Sequence, residues 1–282
     1  MQTLRDLEYY VTSFYGDSFW EQVRPRGKDL NKPPSDIIRR FFFRDLPTKT
    51  RMFREYVQKT FHEYVLLKIK DNGISRIISM PCSNGEEAYT LAIHGLENDL
   101  YLEVVGMDVN PSLIDVAYQG KIHIPTARFK NINPWVEAGY VRTIPKSSRA
   151  CKDLSAANIK MAQFVMDRCE FSTFDILEKP LEEKFDAIYC LNLFRYLTDE
   201  GKETALDNLI QGLDQGSLLI VDQPYYVLPP STRPGLPRYN GKNEALYGWK
   251  VDLNEFYATL HEQDLGLKKV SKFDTHNVYE KV

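Results

Sequence analysis

The chain reads as an α/β protein with a doubly wound parallel sheet, and three observations carry that reading. From Arg76 onward, apolar strand-like runs alternate with segments of helical periodicity, the pattern of parallel strands joined by crossover helices. The run Ile77-Ile78-Ser79-Met80 passes through a small-residue turn, Pro81 to Gly85, into a helix opened by Glu86. The next strand, Val104-Val105-Gly106-Met107, ends on Asp108, the place where open α/β sheets hold the hydroxyls of a ribose.

Taken in order, residues 1–70 predict a small helical domain. Leu4, Leu7, Tyr10 and Val11 form an amphipathic stripe, Ser35 caps a helix from Ile37 to Phe43, and Phe53 to Ile69 repeats apolar residues at helical spacing. Residues 71–282 carry the sheet, with strands predicted at 76–80, 103–107, 169–174, 185–190 and 217–222 and helices at 86–97, 111–119 and 199–213. A further helix is expected from Leu253 to Glu262, and Leu267 to Phe273 with Asn277 to Lys281 predict a closing hairpin. Residues of about 121–165 interrupt the rhythm with Pro125, Pro134, Trp135 and Pro145 and read as an inserted subdomain. The proline-rich stretch from Pro224 to Asn243 reads as a long ordered loop on the substrate side.

At 282 residues, with 43% hydrophobic and 27% charged side chains, the chain has the composition of an ordinary globular protein. Its net charge of −3 conceals an asymmetry: residues 24–54 hold ten Lys/Arg against three acids. Such a face suits an anionic partner or is a solvated helix surface, and the charge count leaves both readings open. The four cysteines form no CxxC pair and the five histidines no HExxH, so no metal is called for and buried free thiols are expected. Met1 to Tyr10 lacks an apolar signal core and no stretch reaches membrane-spanning length, which predicts a cytoplasmic chain without membrane insertion.

Three motifs carry chemistry. The turn Cys82-Ser83-Asn84-Gly85-Glu86-Glu87 places two carboxylates where a dinucleotide site would need room for pyrophosphate. That disfavours NAD and favours an adenosyl ligand with a cationic end, the ammonium and sulfonium of S-adenosylmethionine. Both glutamates equally suit first-turn complements to the helix dipole. In Phe171-Ser172-Thr173-Phe174-Asp175-Ile176, Asp175 either accepts an adenine amine or caps a helix that starts at Ile176. The strand Phe185 to Cys190 opens into a loop with Asn192 and Tyr196, placed to position a nucleophile or, for Tyr196, to pack.

At these residues the sequence resembles the CheR family, S-adenosylmethionine-dependent methyltransferases of glutamate side chains on chemotaxis receptors. Thr50-Arg51-Met52-Phe53-Arg54 is similar to the family's T-x-F-F-R segment and Cys82 to Glu87 to its C-S-x-G-E-E turn. Asp108-Val109-Asn110 with Leu113, Ala117 and Gly120 resembles its ribose segment, Glu170 to Glu178 its adenine segment, and Phe185 to Tyr196 its F-D-x-I-x-C-R-N-x-x-x-Y stretch. The resemblance implies a Rossmann-like class I methyltransferase sheet, S-adenosylmethionine as cofactor and S-adenosylhomocysteine as its product. It implies cofactor contacts from Thr50, Ser83, Gly85, Glu86, Asp108, Asp175, Ile176 and Asn192, with Glu86 on the methionine amine, Asp108 on the ribose, and Asp175 and the Ile176 backbone on the adenine. It places Arg54, Tyr196 and Asn192 at the transferred methyl, and an acidic receptor helix on the basic N-terminal face, with no nucleic acid as partner.

The sequence also departs from the family. Leu191 stands where the family has the arginine of C-R-N, Ala88 replaces a proline, and Asp222-Gln223-Pro224-Tyr225 replaces G-H-S-E after the fifth strand. Two other functions therefore stay open beside glutamate methylation: methylation of a small molecule or another protein site, and a cofactor-binding regulatory module without turnover.

Overall fold

A computed structural model of the chain describes residue 12 and residues 55–69, 75–144, 156–194, 197–221, 265–271 and 277–282. A seven-stranded sheet forms from β1 (Ser75–Ser79), β2 (Leu102–Asp108), β6 (Cys169–Thr173), β7 (Phe185–Cys190), β8 (Leu213–Val221), β9 (Leu267–Lys269) and β10 (Asn277–Lys281). Its order is β6-β2-β1-β7-β8-β10-β9. The first five strands are mutually parallel, whereas β10 runs antiparallel between β8 and β9. This is the doubly wound class I methyltransferase sheet that the sequence and its resemblance predict. Between β1 and β7 the winding reverses, which opens a crevice at their carboxyl ends.

Burial on both faces explains why the central strands read as apolar runs. One face of β1, carrying Ile77, packs with α3 (Glu86–Glu97), α4 (Pro111–Gln119) and the buried side of residues 55–69. On the other face, Ile78 packs with Ala205, Leu206 and Leu209 of α7 (Asp199–Ile210). The segment over the first face is continuous helix: α1 (Glu55–Thr60), one π-helical turn Phe61–Val65, and α2 (Leu66–Ile69), burying Val57, Phe61, Val65 and Ile69.

The helix boundaries follow local chemistry. In α4, the Asn110 side chain accepts the Ser112 and Leu113 N–H groups, Pro111 occupies the first turn, and Gly120 ends the helix at φ 57°. Thr198 caps α7 through its hydroxyl to the Gly201 N–H, and the helix ends at Ile210 where the periodicity predicts 213. The difference arises because β8 already begins at Leu213, four residues ahead of its predicted start, with Gly216 at φ 85° inside it.

Residues 121–165 differ from their irregular appearance. They contain β3 (Lys121–Pro125), β4 (Val141–Ile144) and β5 (Ala156–Met161) in an antiparallel sheet of order β3-β5-β4, with α5 (Thr126–Glu137) and α6 (Gln163–Met166). Pro134 lies inside α5, so its breaker signal misleads; Ile132 and Trp135 on the same helix are buried and hold it. Leu267 to Phe273 yields only the short β9 among described residues, paired with β10 as predicted. The basic segment 24–54, Pro224 to Asn243 and Leu253 to Glu262 lie outside the described residues. No helix among the described residues is long and apolar enough to cross a membrane.

Candidate functional site

Ser83, Gly85, Glu86, Asp108, Asp175, Ile176 and Asn192 all follow or close the carboxyl ends of β1, β2, β6 and β7, beside the reversal in strand order. Four parallel strands thus deliver them to one edge of the sheet. Thr50, Arg54 and Tyr196 lie outside the described residues.

Asp108 organises the site. Its Oδ2 accepts the Ser83 N–H at 2.8 Å and its Oδ1 accepts the Asn110 N–H at 2.9 Å, so one carboxylate ties the turn after β1 to the turn after β2. Further hydrogen bonds reinforce the edge: Met80 N–H to the Tyr189 carbonyl, Cys82 N–H to Met107 and Phe174 N–H to Asp108. Each Asp108 oxygen keeps a second lone pair, enough for two hydroxyl donors from a sugar. Ser83 and Asn192 take left-handed backbone at φ 52° and 67°, conformations that cost energy for residues other than glycine and gather at functional turns.

The two glutamates separate into different roles. Glu86 Oε1 accepts from the Asn84 side-chain amide at 3.0 Å, within the turn itself. Glu87 Oε1 accepts from the Ser79 hydroxyl at 2.9 Å, turned toward β1. Both are buried, and Gly85, at φ 82°, starts the helix ahead of them. A Cβ on Gly85 would stand 3.0 Å from Ala117 and from the Phe171 ring, so the space at this glycine is taken by the protein's own packing.

Asp175 Oδ1 accepts the Leu177 N–H at 2.9 Å, the hydrogen bond that the capping reading requires, although a turn and not a helix follows. Ile176 is buried, and its carbonyl accepts the Asn208 side-chain amide. Leu191, in place of an arginine, is buried beside Asn192. Cys82 sits in the turn yet is no nucleophile: burial, then the charges of Asp108 and Glu87, push its thiol well above the usual range. Cys82, Cys169 and Cys190 are free thiols; Cys151 lies outside the described residues.

Sequence reading did not single out Asn84, Ser79 or Asn110 as members of the site. Asn110 had a signal, since Asn-Pro at a helix start marks a cap whose backbone N–H faces back toward Asp108. Asn84 and Ser79 had none, because their partners are set by how the turn folds.

The donor set fits S-adenosylmethionine. Buried Glu86 suits an ammonium group and buried Asp108 a vicinal diol, and they close neighbouring segments of one sheet edge. Burial raises the Asp108 carboxyl to about 6, against the pull of the Asn110 and Ser83 N–H groups. A folded pKa above the unfolded one means that ionised Asp108 opposes folding at neutral pH, and that this penalty shrinks as pH falls below about 6 and is gone only below the ordinary carboxyl value of 3.8. Hydroxyl donors need the ionised form. Lowering the pH from about 7 to about 5 should therefore weaken S-adenosylhomocysteine binding while the Asp108 contribution to ligand-free stability rises. Calorimetric titration paired with thermal melts across that interval checks both signs, and an affinity flat with pH contradicts the assigned role.

A family model described as CheR methyltransferase, SAM binding domain, matches residues 48–224. The chain is 25% identical over 167 residues to a chemotaxis protein methyltransferase of Listeria monocytogenes, covering 56% of each protein. It is 22% identical over 191 residues to chemotaxis protein methyltransferase 2 of Vibrio cholerae, covering 64% of this chain and 59% of that one. The chain thus spans little more than half the length of these curated relatives. Among solved structures it is similar to a SAM-dependent methyltransferase from Thiobacillus denitrificans in complex with S-adenosyl-L-homocysteine, at 16% identity and TM-score 0.42, covering 78% of this chain and 66% of that one.

Proposed function

Because the chain belongs to the CheR methyltransferase family, we propose that it transfers a methyl group from S-adenosylmethionine to glutamate carboxylates of an acidic protein such as a receptor helix. The observation that carries the proposal is the Asp108 tie, in which one buried carboxylate joins the turn leading into buried Glu86 to the turn after β2, inside the matched segment. Asp108 holds the ribose, Glu86 the ammonium, and Asp175 with the Ile176 backbone the adenine, while Thr50, Ser83, Gly85 and Asn192 complete the contacts. The cofactor supplies an electrophilic methyl on its sulfonium. A glutamate acceptor is already ionised at neutral pH, so no general base is needed. The work of this chain is alignment and exclusion of water.

Arg54 directly precedes α1, whose Thr60 hydroxyl lies 3.4 Å from the Tyr189 hydroxyl near the carboxyl end of β7. The similarity of Thr50 to Arg54 to the family's T-x-F-F-R segment, inside the matched residues 48–224, supports Arg54 as the group that orients the acceptor carboxylate through a forked, charge-assisted contact, with Tyr196 and Asn192 beside the reacting methyl. Arg54→Ala should lower methyl transfer about thirtyfold, the loss of about 2 kcal/mol of transition-state stabilisation. S-adenosylhomocysteine affinity should stay within about threefold of wild type. Unchanged turnover would remove Arg54 from the mechanism.

A second reading, the same chemistry on a small-molecule acceptor, is favoured by one observation: Leu191 is apolar and buried where the family places a cation. Incubation with labelled S-adenosylmethionine and cell lysate separates the two. Base-labile label on protein supports the glutamate ester, and label confined to the small-molecule fraction overturns it.

A further inference from the structure

We infer that Phe171 is a positioning residue that sets the spacing between the amine-binding and ribose-binding parts of the site, an inference that rests on the cofactor reading above. Phe171 lies on β6, the edge strand, directly opposite Gly106 of β2. Its ring occupies the room that two glycines leave. A Cβ on Gly106 would stand 2.5 Å from Phe171 Cδ1, and one on Gly85 would stand 3.0 Å from Phe171 Cε1 and Cζ. Gly85 is the residue before Glu86, and Gly106 is two residues before Asp108. One aromatic edge therefore spans the backbone beneath both grips.

The ring cannot drift from this position. Tyr89 of α3 tilts against it at a centroid distance of 5.3 Å, and Tyr118 of α4 meets it edge-on at 5.8 Å. The Tyr118 hydroxyl donates to the Phe171 carbonyl, and the Tyr89 hydroxyl donates to the Ala117 carbonyl at 2.7 Å. Phe171 is 4% exposed and Gly106 lies in the buried strand core, so the contact is made away from solvent. A ligand gripped at both ends is sensitive to the separation of the grips, whereas a fragment held at one end is not.

That difference supplies a readout that simple core packing does not move. S-adenosylhomocysteine engages both grips and adenosine only the ribose and adenine side. With the 282-residue chain, Phe171→Leu should weaken S-adenosylhomocysteine about tenfold or more and leave adenosine within about twofold. Leu209→Ala, a cavity on the opposite face of the sheet, should lower thermal stability and leave both affinities in place. Gly106→Ala, which pushes the ring from the other side, should reproduce the Phe171→Leu split and serves where Phe171→Leu does not fold. Equal weakening of both ligands, or wild-type affinity for both, overturns the inference while leaving the cofactor site standing. A wild-type chain that binds neither ligand overturns the site reading, and this inference with it.

Discussion

Asp108→Asn is expected to lose about a thousandfold in affinity for S-adenosylhomocysteine, the combined worth of two charge-assisted hydrogen bonds at about 2 kcal/mol each. The isosteric change keeps the side chain in place and removes what makes it useful. A carboxylate satisfies the Ser83 and Asn110 N–H groups with one oxygen each and still offers lone pairs to a sugar. An amide has one oxygen for those two donors, and its NH2 then faces a backbone N–H in a buried setting. The turn after β1 would loosen from the turn after β2, and the diol would meet a donor in place of an acceptor. The pH dependence of binding near 6 should vanish with it, because an amide does not titrate there. Calorimetry at neutral pH decides the matter: affinity within about threefold of wild type removes Asp108 from the sugar site.

How much of this was legible before the structure depends on whether a feature is local. β7 runs from Phe185 to Cys190 as predicted, because every residue of it except Asp186 is buried and Ala187 to Cys190 form an uncharged run. α4 was legible at both ends, since Asn110-Pro111 is a local start signal and Gly120 a local stop signal. The position of Asp108 at the end of β2 was legible because the apolar run before it marks the strand. By contrast, nothing in Glu86-Glu87 announces that one carboxylate stays in the turn and the other reaches back to Ser79. That depends on Gly85 adopting φ 82°, which rotates the helix start. Phe171 was likewise read as one residue of an adenine segment, because its contacts with Gly85 and Gly106 join residues far apart in the chain.

The least legible element was α5, and it carries the other large expected effect. Trp135→Ala should cost about 3–5 kcal/mol of stability, seen as a fall in melting temperature of about 10 °C. The indole is 2% exposed and donates its N–H to Glu97 Oε1 at 2.8 Å. Glu97 Oε2 lies 3.0 Å from His94 Nδ1, and the His94 ring meets Trp135 edge-on at 5.7 Å and stacks against Phe61 at 5.6 Å. Three parts of the fold meet there: the small sheet's helix, the last turn of α3, and the helical segment before β1. The His94 hydrogen bond, then that of Trp135, outweighs burial and holds the Glu97 carboxyl below its usual range, so this pair stabilises the fold above that range and loses effect on acidification. Trp135→Phe keeps most of the buried area but leaves Glu97 without its indole donor, and should cost only about 1–2 kcal/mol. Cofactor affinity should change little in either variant, because α3 separates Glu97 from the Gly85 turn by about 18 Å of helix. A melting temperature unchanged in Trp135→Ala would show that the small sheet is not fastened to the main one through this residue.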